Sequence, residues 1–517
     1  MRRLFSCLFA FLFSFSASLV FISVPLHGQD VASFEKRVTV RKLANGLTLL
    51  VMERPEAPVF SGYTMVDAGS VQDPKDETGL AHMFEHMAFK GTTTIGTTNW
   101  PAEKVALQKV EEAYAAYIHE AERRVGRDDK KVAELEKAWQ DAIHQADKYV
   151  VRNAYPQIIE ENGGVGMNAQ TSDDQTVYYY SFPSNRLQLW AYLESERFIE
   201  PVMREFYKER DVVFEERRMS TESNPVGRLI EQFIASAFIA HPYHRPTIGW
   251  ASDLRRFSAT DAEHFFHVYY VPANMVVAAV GDIKAAQALP IMEKYFGRLP
   301  KAPLPTEDPT TEPPQQAERR VVLSETAQPL YIEGYHRPDY RDPDDAVYDA
   351  ISDIMSNGRT SRLYRALVRD KKIAAESAGF SGWPGSKYPH LFAFYAVPTP
   401  GHTNDEVRDA IRAEIERLKT ADVSDEELAM FKTRAKADLI RGLGNNSGLA
   451  AQLATFQARF GDWRELFRQL ERYDKVSKSD IRRVANKTFV PANRTVGIIE
   501  STRMAGAAPA QKPEEKP

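Results

Sequence analysis

Apolar and polar positions alternate over residues 38–42, and a second strand-like, mainly apolar run covers 47–51, with Asn45-Gly46 between them. This pattern predicts two strands closed by a tight hairpin turn. A further strand is expected near residues 62–66. It leads through the polar turn Gln72-Asp73-Pro74-Lys75-Asp76 to Thr78, which is placed to cap a following helix. Between about 101 and 150 the spacing becomes helical and the composition turns to Ala, Glu, Lys and Gln, broken once at Gly126-Arg127-Asp128-Asp129. Two long antiparallel helices, a structural hairpin, fit that stretch. The glycine-rich run Gly163-Gly164-Val165-Gly166 lacks the Lys-Ser/Thr ending of a phosphate loop and reads as the entry to an edge strand. A tyrosine-rich strand over 177–182 follows, then a helix over about 186–198 and another carrying residues 209–216.

One arrangement occurs twice. Phe257-Ser258-Ala259-Thr260-Asp261, a helix, Tyr270-Val271-Pro272-Ala273-Asn274 and an apolar strand return as Val476-Ser477-Lys478-Ser479-Asp480, a helix, Phe489-Val490-Pro491-Ala492-Asn493 and the strand 495–499. The offset is 219 residues throughout. A period that long means duplicated domains rather than a solenoid. Between the copies, residues 299–318 include Pro300, Pro303, Pro305, Pro309, Pro313 and Pro314, an extended linker. The division is therefore 29–298 and 319–500, with a disordered tail over 501–517. Each half mixes antiparallel strands with helices, an α+β pattern of two duplicated domains, each a mainly antiparallel sheet with helices on one face, plus the inserted helical hairpin at about 101–150.

Composition adds compartment and excludes some functions. Residues 1–28 hold Arg2 and Arg3, then the apolar run 4–24, then Leu26-His27-Gly28, the layout of a secretory signal. Five serines in the run and no charge after it favour cleavage. An uncleaved anchor remains open, as the only expected attachment to a membrane. A periplasmic or secreted bacterial protein is implied. Cys7, the single cysteine, lies in that segment, so the mature chain has neither disulfide nor thiol chemistry. Removing Arg2 and Arg3 takes the formal charge from -5 to -7, which excludes a nucleic-acid footprint.

The chemistry concentrates in Gly79-Leu80-Ala81-His82-Met83-Phe84-Glu85-His86-Met87-Ala88-Phe89-Lys90-Gly91. His82 and His86 stand at i and i+4 of one helix with Glu85 between them, so three side chains share a face. Neutral imidazoles ligate zinc, and a carboxylate beside the metal can take a proton from water. Leu80, Met83, Phe84, Met87 and Phe89 surround the trio and predict a buried helix. A hydrolytic zinc takes three protein ligands. The best source of the third is the stretch 209–216, where Glu209 and Glu216 lie two turns apart on one face. Spacing alone leaves the choice open, and Glu194, Glu196, Glu200, Glu205, Glu215 and Glu222 are expected on a solvated face.

His82-Met83-Phe84-Glu85-His86 with Phe89-Lys90-Gly91-Thr92, then Met167-Asn168-Ala169-Gln170-Thr171 with Asp174-Gln175-Thr176, then Glu209-Arg210-Asp211-Val212-Val213-Phe214-Glu215-Glu216, resembles the pitrilysin (M16) family of zinc peptidases. The likeness is greatest to its two-domain bacterial members related to the mitochondrial processing peptidase. It runs from about 38 to 499. The resemblance implies a LuxS/M16-like metallohydrolase fold and one zinc ion on His82, His86 and Glu216. It also implies Glu85 as catalytic base and proton shuttle, Glu209 as the assisting carboxylate, and a second domain without metal ligands. By the same likeness, Asn168, Ala169, Gln170 and Thr171 hold a peptide substrate as an added strand. Active members also place an Arg and, seven residues on, a Tyr in the second domain to grip substrate. Ser361-Arg362-Leu363-Tyr364-Arg365-Ala366-Leu367-Val368-Arg369 supplies Arg369, but position 376 is Glu376. The expected function is zinc endopeptidase action on extended peptides or unfolded segments, with a homologous partner chain, in a heterodimer or homodimer, completing the clamp. The alternative is a non-catalytic peptide-binding or assembly subunit.

Overall fold

The structure, a computed structural model, describes residues 34–306 and 309–502. The signal segment, Cys7 and the tail beyond residue 502 lie outside them. Among the described residues no helix is long and apolar enough to cross a membrane.

The first half runs β1 (Val38–Lys42), β2 (Thr48–Glu53), β3 (Val59–Val66), α1 (Leu80–Met87), α2 (Trp100–Ala121), α3 (Asp129–Ala146), α4 (Ala154–Glu161), β4 (Val165–Thr171) and β5 (Thr176–Pro183). It continues through α5 (Leu187–Glu196), α6 (Phe206–Arg217), α7 (Pro225–Ala237), α8 (Ala251–Leu254), α9 (Ala259–Tyr269), β6 (Met275–Gly281) and α10 (Ala285–Phe296). The second half runs β7 (Arg319–Glu325), β8 (Leu330–Arg337), α11 (Asp345–Ser356), β9 (Ala374–Trp383) and β10 (His390–Pro398). It ends with α12 (Asn404–Thr420), α13 (Asp425–Gly442), α14 (Asn446–Phe460), α15 (Glu465–Lys475), α16 (Lys478–Thr488) and β11 (Arg494–Ser501).

Two sheets organise these elements, in the orders β1-β2-β6-β3-β5-β4 and β7-β11-β8-β10-β9. Only β2 with β6 and β7 with β11 pair parallel; the other pairs are antiparallel. The α+β duplication is thus present in both the topology and the chain order. β1 and β2 pair with Lys42 opposite Thr48, and the turn uses Gly46 at φ +103°, where a side chain would be strained. The repeat at offset 219 is α9, a 3-10 turn and β6 in one half, and α16, a 3-10 turn and β11 in the other. Ser258 and Ser477 open the two helices with matching capping boxes to Asp261 and Asp480.

One face of each sheet carries its own helices: Leu80, Phe84, Trp190, Val213 and Phe266 in the first core, Tyr348, Ile351, Ile411 and Val484 in the second. The opposite face is covered by a helix from the other half. Leu449 and Leu453 of α14 pack on Leu50, Met65 and Val280, while Leu229 and Phe233 of α7 pack on Ile332, Leu391 and Ile499. This exchange joins the halves through apolar burial, at about 25 cal/mol per Å² removed from water.

Candidate metal centre

Helix α1 begins at Gly79, whose φ of +94° and close approach to the Ile248 carbonyl require glycine: an added Cβ would stand 2.6 Å from that oxygen. Thr78 does not cap it. Its hydroxyl donates to Asp253 at 2.6 Å, and the buried first-turn amides go instead to Asp73, whose carboxyl accepts from Gly79 N at 2.7 Å and Ala81 N at 2.8 Å. Asp73 is further back in the turn but carries two acceptor oxygens, and so satisfies two orphan amides together. Leu80, Met83, Phe84 and Met87 are fully buried, which leaves His82, Glu85 and His86 on the remaining face.

Helix α6 brings the carboxylates. His82 Nε2 and His86 Nε2 each stand 3.8 Å from one oxygen of Glu216. That is too long for a hydrogen bond. Donors about 2.0–2.2 Å from a common tetrahedral centre lie about 3.4 Å apart, so the two edges that meet at Glu216 are a few tenths of an ångström wider than in a zinc site. The donor atoms of the three residues all lie within 4.8 Å of one another, the one such group among the described residues. The residues present fit a zinc ion.

The surroundings orient this set. His86 Nδ1 meets Glu209 Oε2 at 3.3 Å, which turns Nε2 toward Glu216. Lys90 forms an ion pair with Glu209. Burial pushes His82 down to about 4, helped by the charge of His86, so its imidazole is neutral and ready to ligate. For His86 burial acts in the same direction but is outweighed by the bond to Glu209 and by Glu85 and Glu216, which hold it above the usual value. Burial raises Glu85, opposed by the Thr171 hydroxyl, which donates to it at 2.6 Å. Glu209 is lowered: burial opposes, and the bonds to His86 and Lys90 prevail.

The return from the α2–α3 hairpin completes the wall. Arg204, buried, donates to Glu103 at 2.6 and 3.1 Å and to the carbonyls of Lys90, Thr92 and Ile95, which fixes the segment following α1. A pocket of about 330 Å³ opens beside Glu85 and His86, bounded by Phe89, Val151, Ala154 and by Asn168 and Ala169 of edge strand β4. The hairpin leaves the His82, His86 and Glu216 arrangement intact by packing Tyr114 and Trp139 against Tyr207 and Arg210.

Of the anticipated residues, the fold gathers His82, Glu85, His86, Glu209 and Glu216 with Asn168, Ala169 and Thr171; Gln170 sits on the same strand. Arg369 is not among them. It lies in a π-helical turn of the second half, bonded to Asp370, in a depression lined only by second-half residues. Glu376 accepts from the Tyr395 hydroxyl of the neighbouring strand. Two of the carboxylates expected on a solvated face are buried: Glu194 pairs with Arg197 at 3.1 Å and Glu196 with Arg298 at 2.6 Å, since burial of a charge demands a partner. Sequence reasoning missed the roles of Thr171 on Glu85 and Lys90 on Glu209. Lys90 had a visible signal, a lone cation a few residues after His86, just past the end of α1.

Comparison with known proteins agrees with this geometry. Residues 50–108 and 130–250 match the family model "Insulinase (Peptidase family M16)", and 256–434 match "Peptidase M16 inactive domain". The chain is 26% identical over 495 residues to "Zinc protease PqqE" of Helicobacter pylori, covering 94% of this chain and 97% of that one. It is 24% identical to "Probable mitochondrial-processing peptidase subunit beta, mitochondrial" of Arabidopsis thaliana, covering 92% and 80%. The crystal structure of a protease from Helicobacter pylori superposes with a TM-score of 0.75 at 25% identity, over 90% of this chain and 99% of that one.

Proposed function

Because the chain belongs to the insulinase-like M16 peptidase family, we propose that it is a zinc-dependent endopeptidase acting on extended peptides or unfolded segments outside the cytoplasm. The observation that carries this reading is the convergence of His82 Nε2 and His86 Nε2 on one Glu216 oxygen, with Glu85 beside them and strand β4 at the sheet edge. His82, His86 and Glu216 hold the ion, which supplies Lewis acidity when bound. Glu85 takes a proton from the attacking water and returns it to the leaving amine; Thr171 holds that carboxylate in place. Glu209 fixes the ring of His86. The unpaired edge of β4 accepts substrate main chain as a further strand, which explains tolerance of varied side chains.

A second feature bears on assembly. Arg369 is held within the second half and position 376 is a glutamate, so the chain lacks the complete Arg-Tyr clamp its relatives' pattern implies. This favours a homologous partner subunit, in line with the "subunit beta" name of the Arabidopsis relative. It also keeps alive a non-catalytic peptide-binding role. Zinc content measured with cleavage of an unstructured fluorogenic peptide by the purified mature chain separates the three. One zinc with chelator-sensitive turnover establishes a self-sufficient peptidase. Zinc without turnover until a homologous chain is added establishes the partnered enzyme. Zinc without turnover under any pairing refutes the peptidase reading.

A further inference from the structure

A cavity larger than the one at the candidate metal centre lies elsewhere in the first half. It lies between the α2–α3 hairpin, the start of α6 and helix α9, with a volume of about 740 Å³. That is within the 300–1,000 Å³ range of small-molecule sites. It adjoins the 330 Å³ pocket at Glu85, from which Val150 and Glu205 separate it. Part of its wall forms an apolar floor, with Leu107, Ile143, Phe206 and Phe266 from four different elements.

Its polar groups are of one sign in excess. Five carboxylates line it, those of Glu111, Asp147, Glu200, Glu205 and Glu263, against two lysines and His267. Lys208, one of the lysines, is already committed to Asp147 at 2.7 Å and Glu205 at 3.4 Å. Glu111 accepts from the Tyr207 hydroxyl at 2.8 Å and from Thr260. Glu263 has no hydrogen-bond or ion-pair partner among the described residues, and faces Glu111. Partial enclosure of its carboxyl at the cavity mouth and the charge of Glu111 hold Glu263 above the ordinary carboxylate range. Two carboxylates set against each other over an apolar floor are stabilised by a cation that brings its own apolar surface.

We propose that this cavity is a binding site for a ligand with an apolar body and one positively charged amine, received by Glu263 and Glu111 over the floor of Leu107, Ile143, Phe206 and Phe266. The same chemistry is offered by a free arylalkylamine and by a lysine flanked by apolar residues in a peptide segment. An anion meets the carboxylates and a neutral molecule leaves Glu263 without a counter-charge. The site stands independently of catalysis, because none of its lining residues is a metal ligand or the base.

The test is calorimetric titration of the full chain with 4-phenylbutylamine, 4-phenylbutanol and 4-phenylbutyrate. The amine is expected to bind saturably and at least tenfold more tightly than the alcohol or the acid. Glu263→Gln should weaken the amine about tenfold, Leu107→Trp should abolish its binding by filling the floor, and Glu85→Gln should leave it unchanged. Glu263 is exposed at the mouth, so its variant stays folded even if Leu107→Trp does not. Equal binding of alcohol and amine, unaltered binding in Glu263→Gln, or no saturable binding overturns the proposal. Displacement of the amine by acetyl-Leu-Lys-Phe-amide, and not by its norleucine analogue, supports the site with a peptide segment as its source. Binding of the amine without competition by either peptide supports it with a free amine as its source.

Discussion

Helix α1 in the first half and α11 in the second occupy the same place: each follows a central strand, packs on a later helix (α6 or α13) and lies against the edge strand (β4 or β9). Their polar faces differ. Helix α1 presents His82, Glu85 and His86, and the two imidazole Nε2 atoms reach Glu216 without bonding it. Helix α11 presents Asp345, Asp349 and Asp353 at a spacing of four, and each is answered internally: Asp345 by Arg337 at 2.5 Å, Asp349 by the Tyr473 hydroxyl at 2.8 Å, Asp353 by Arg434 at 3.1 Å. One scaffold therefore leaves donors converging on a common point, and its duplicate closes every donor on a partner. The scaffold sets where a site can be; partnering decides whether it is one.

The largest test of this contrast is at Glu85. Glu85→Gln keeps the size and the Thr171 contact but cannot take a proton, so turnover should fall by about 10²–10⁴ with zinc retained. His82→Ala should lose both zinc and turnover, read by metal analysis and peptide cleavage. Undiminished turnover in Glu85→Gln would remove the distinction between the halves.

A smaller effect is expected at Glu209, whose proposed role is to orient His86 through their 3.3 Å contact. Glu209→Gln should weaken zinc by about 10–100-fold, measured by competition with a chelator. The loss should be larger than for Glu215→Gln, since Glu215 is exposed on the same helix and bonds only Arg218.

The halves also differ in titration. Strand β5 begins with Thr176, whereas its counterpart β10 begins with His390, a buried imidazole pushed down to about 4 by burial and by Arg337, against the pull of Asp174 and Asp339. Its folded value lies below its unfolded value, so between about pH 6.5 and 4 the unfolded chain binds the proton and the folded chain does not. Stability from this group is complete above that window and falls as pH falls through it, by about 1.4 kcal/mol per unit. The buried carboxyls Asp73 and Asp173 are raised and act in the opposite direction, so the readout is a difference of slopes. His390→Asn keeps a donor for the Tyr388 carbonyl and should flatten the fall in urea midpoint between pH 7 and 5 relative to the parent chain.

What could be read in advance was local. The Asn45-Gly46 hairpin, the His82-Glu85-His86 face and the seven-residue step from Glu209 to Glu216 are short-range patterns with a definite period, and each specifies its own geometry. The missed features join distant segments. Asp73 caps α1 from outside the helix, Arg204 reaches back to Glu103 and three carbonyls, and α7 and α14 each cover the other half's sheet. The period of α14 shows that one face is apolar and says nothing of which sheet it meets. Glu194 and Glu196 were misplaced for the same reason: their burial depends on Arg197 and Arg298 arriving from packing, which composition does not reveal.

The smallest prediction concerns the closed cleft of the second half. Asp353 accepts from Arg434 at 3.1 Å and from Asn357 at 2.6 Å. Asp353→Asn removes the charge from a half-buried pair while preserving its shape, so the folded state should lose about 1 kcal/mol, seen as a lower urea midpoint at unchanged slope. Zinc content and turnover should not move, because these partners end within the second half. A fall in either would mean that the α11 cleft communicates with the metal centre, most directly through α14, which follows α13 and covers the outer face of the sheet that carries β4. In that case the duplicate would be part of the working site and not only its closed counterpart.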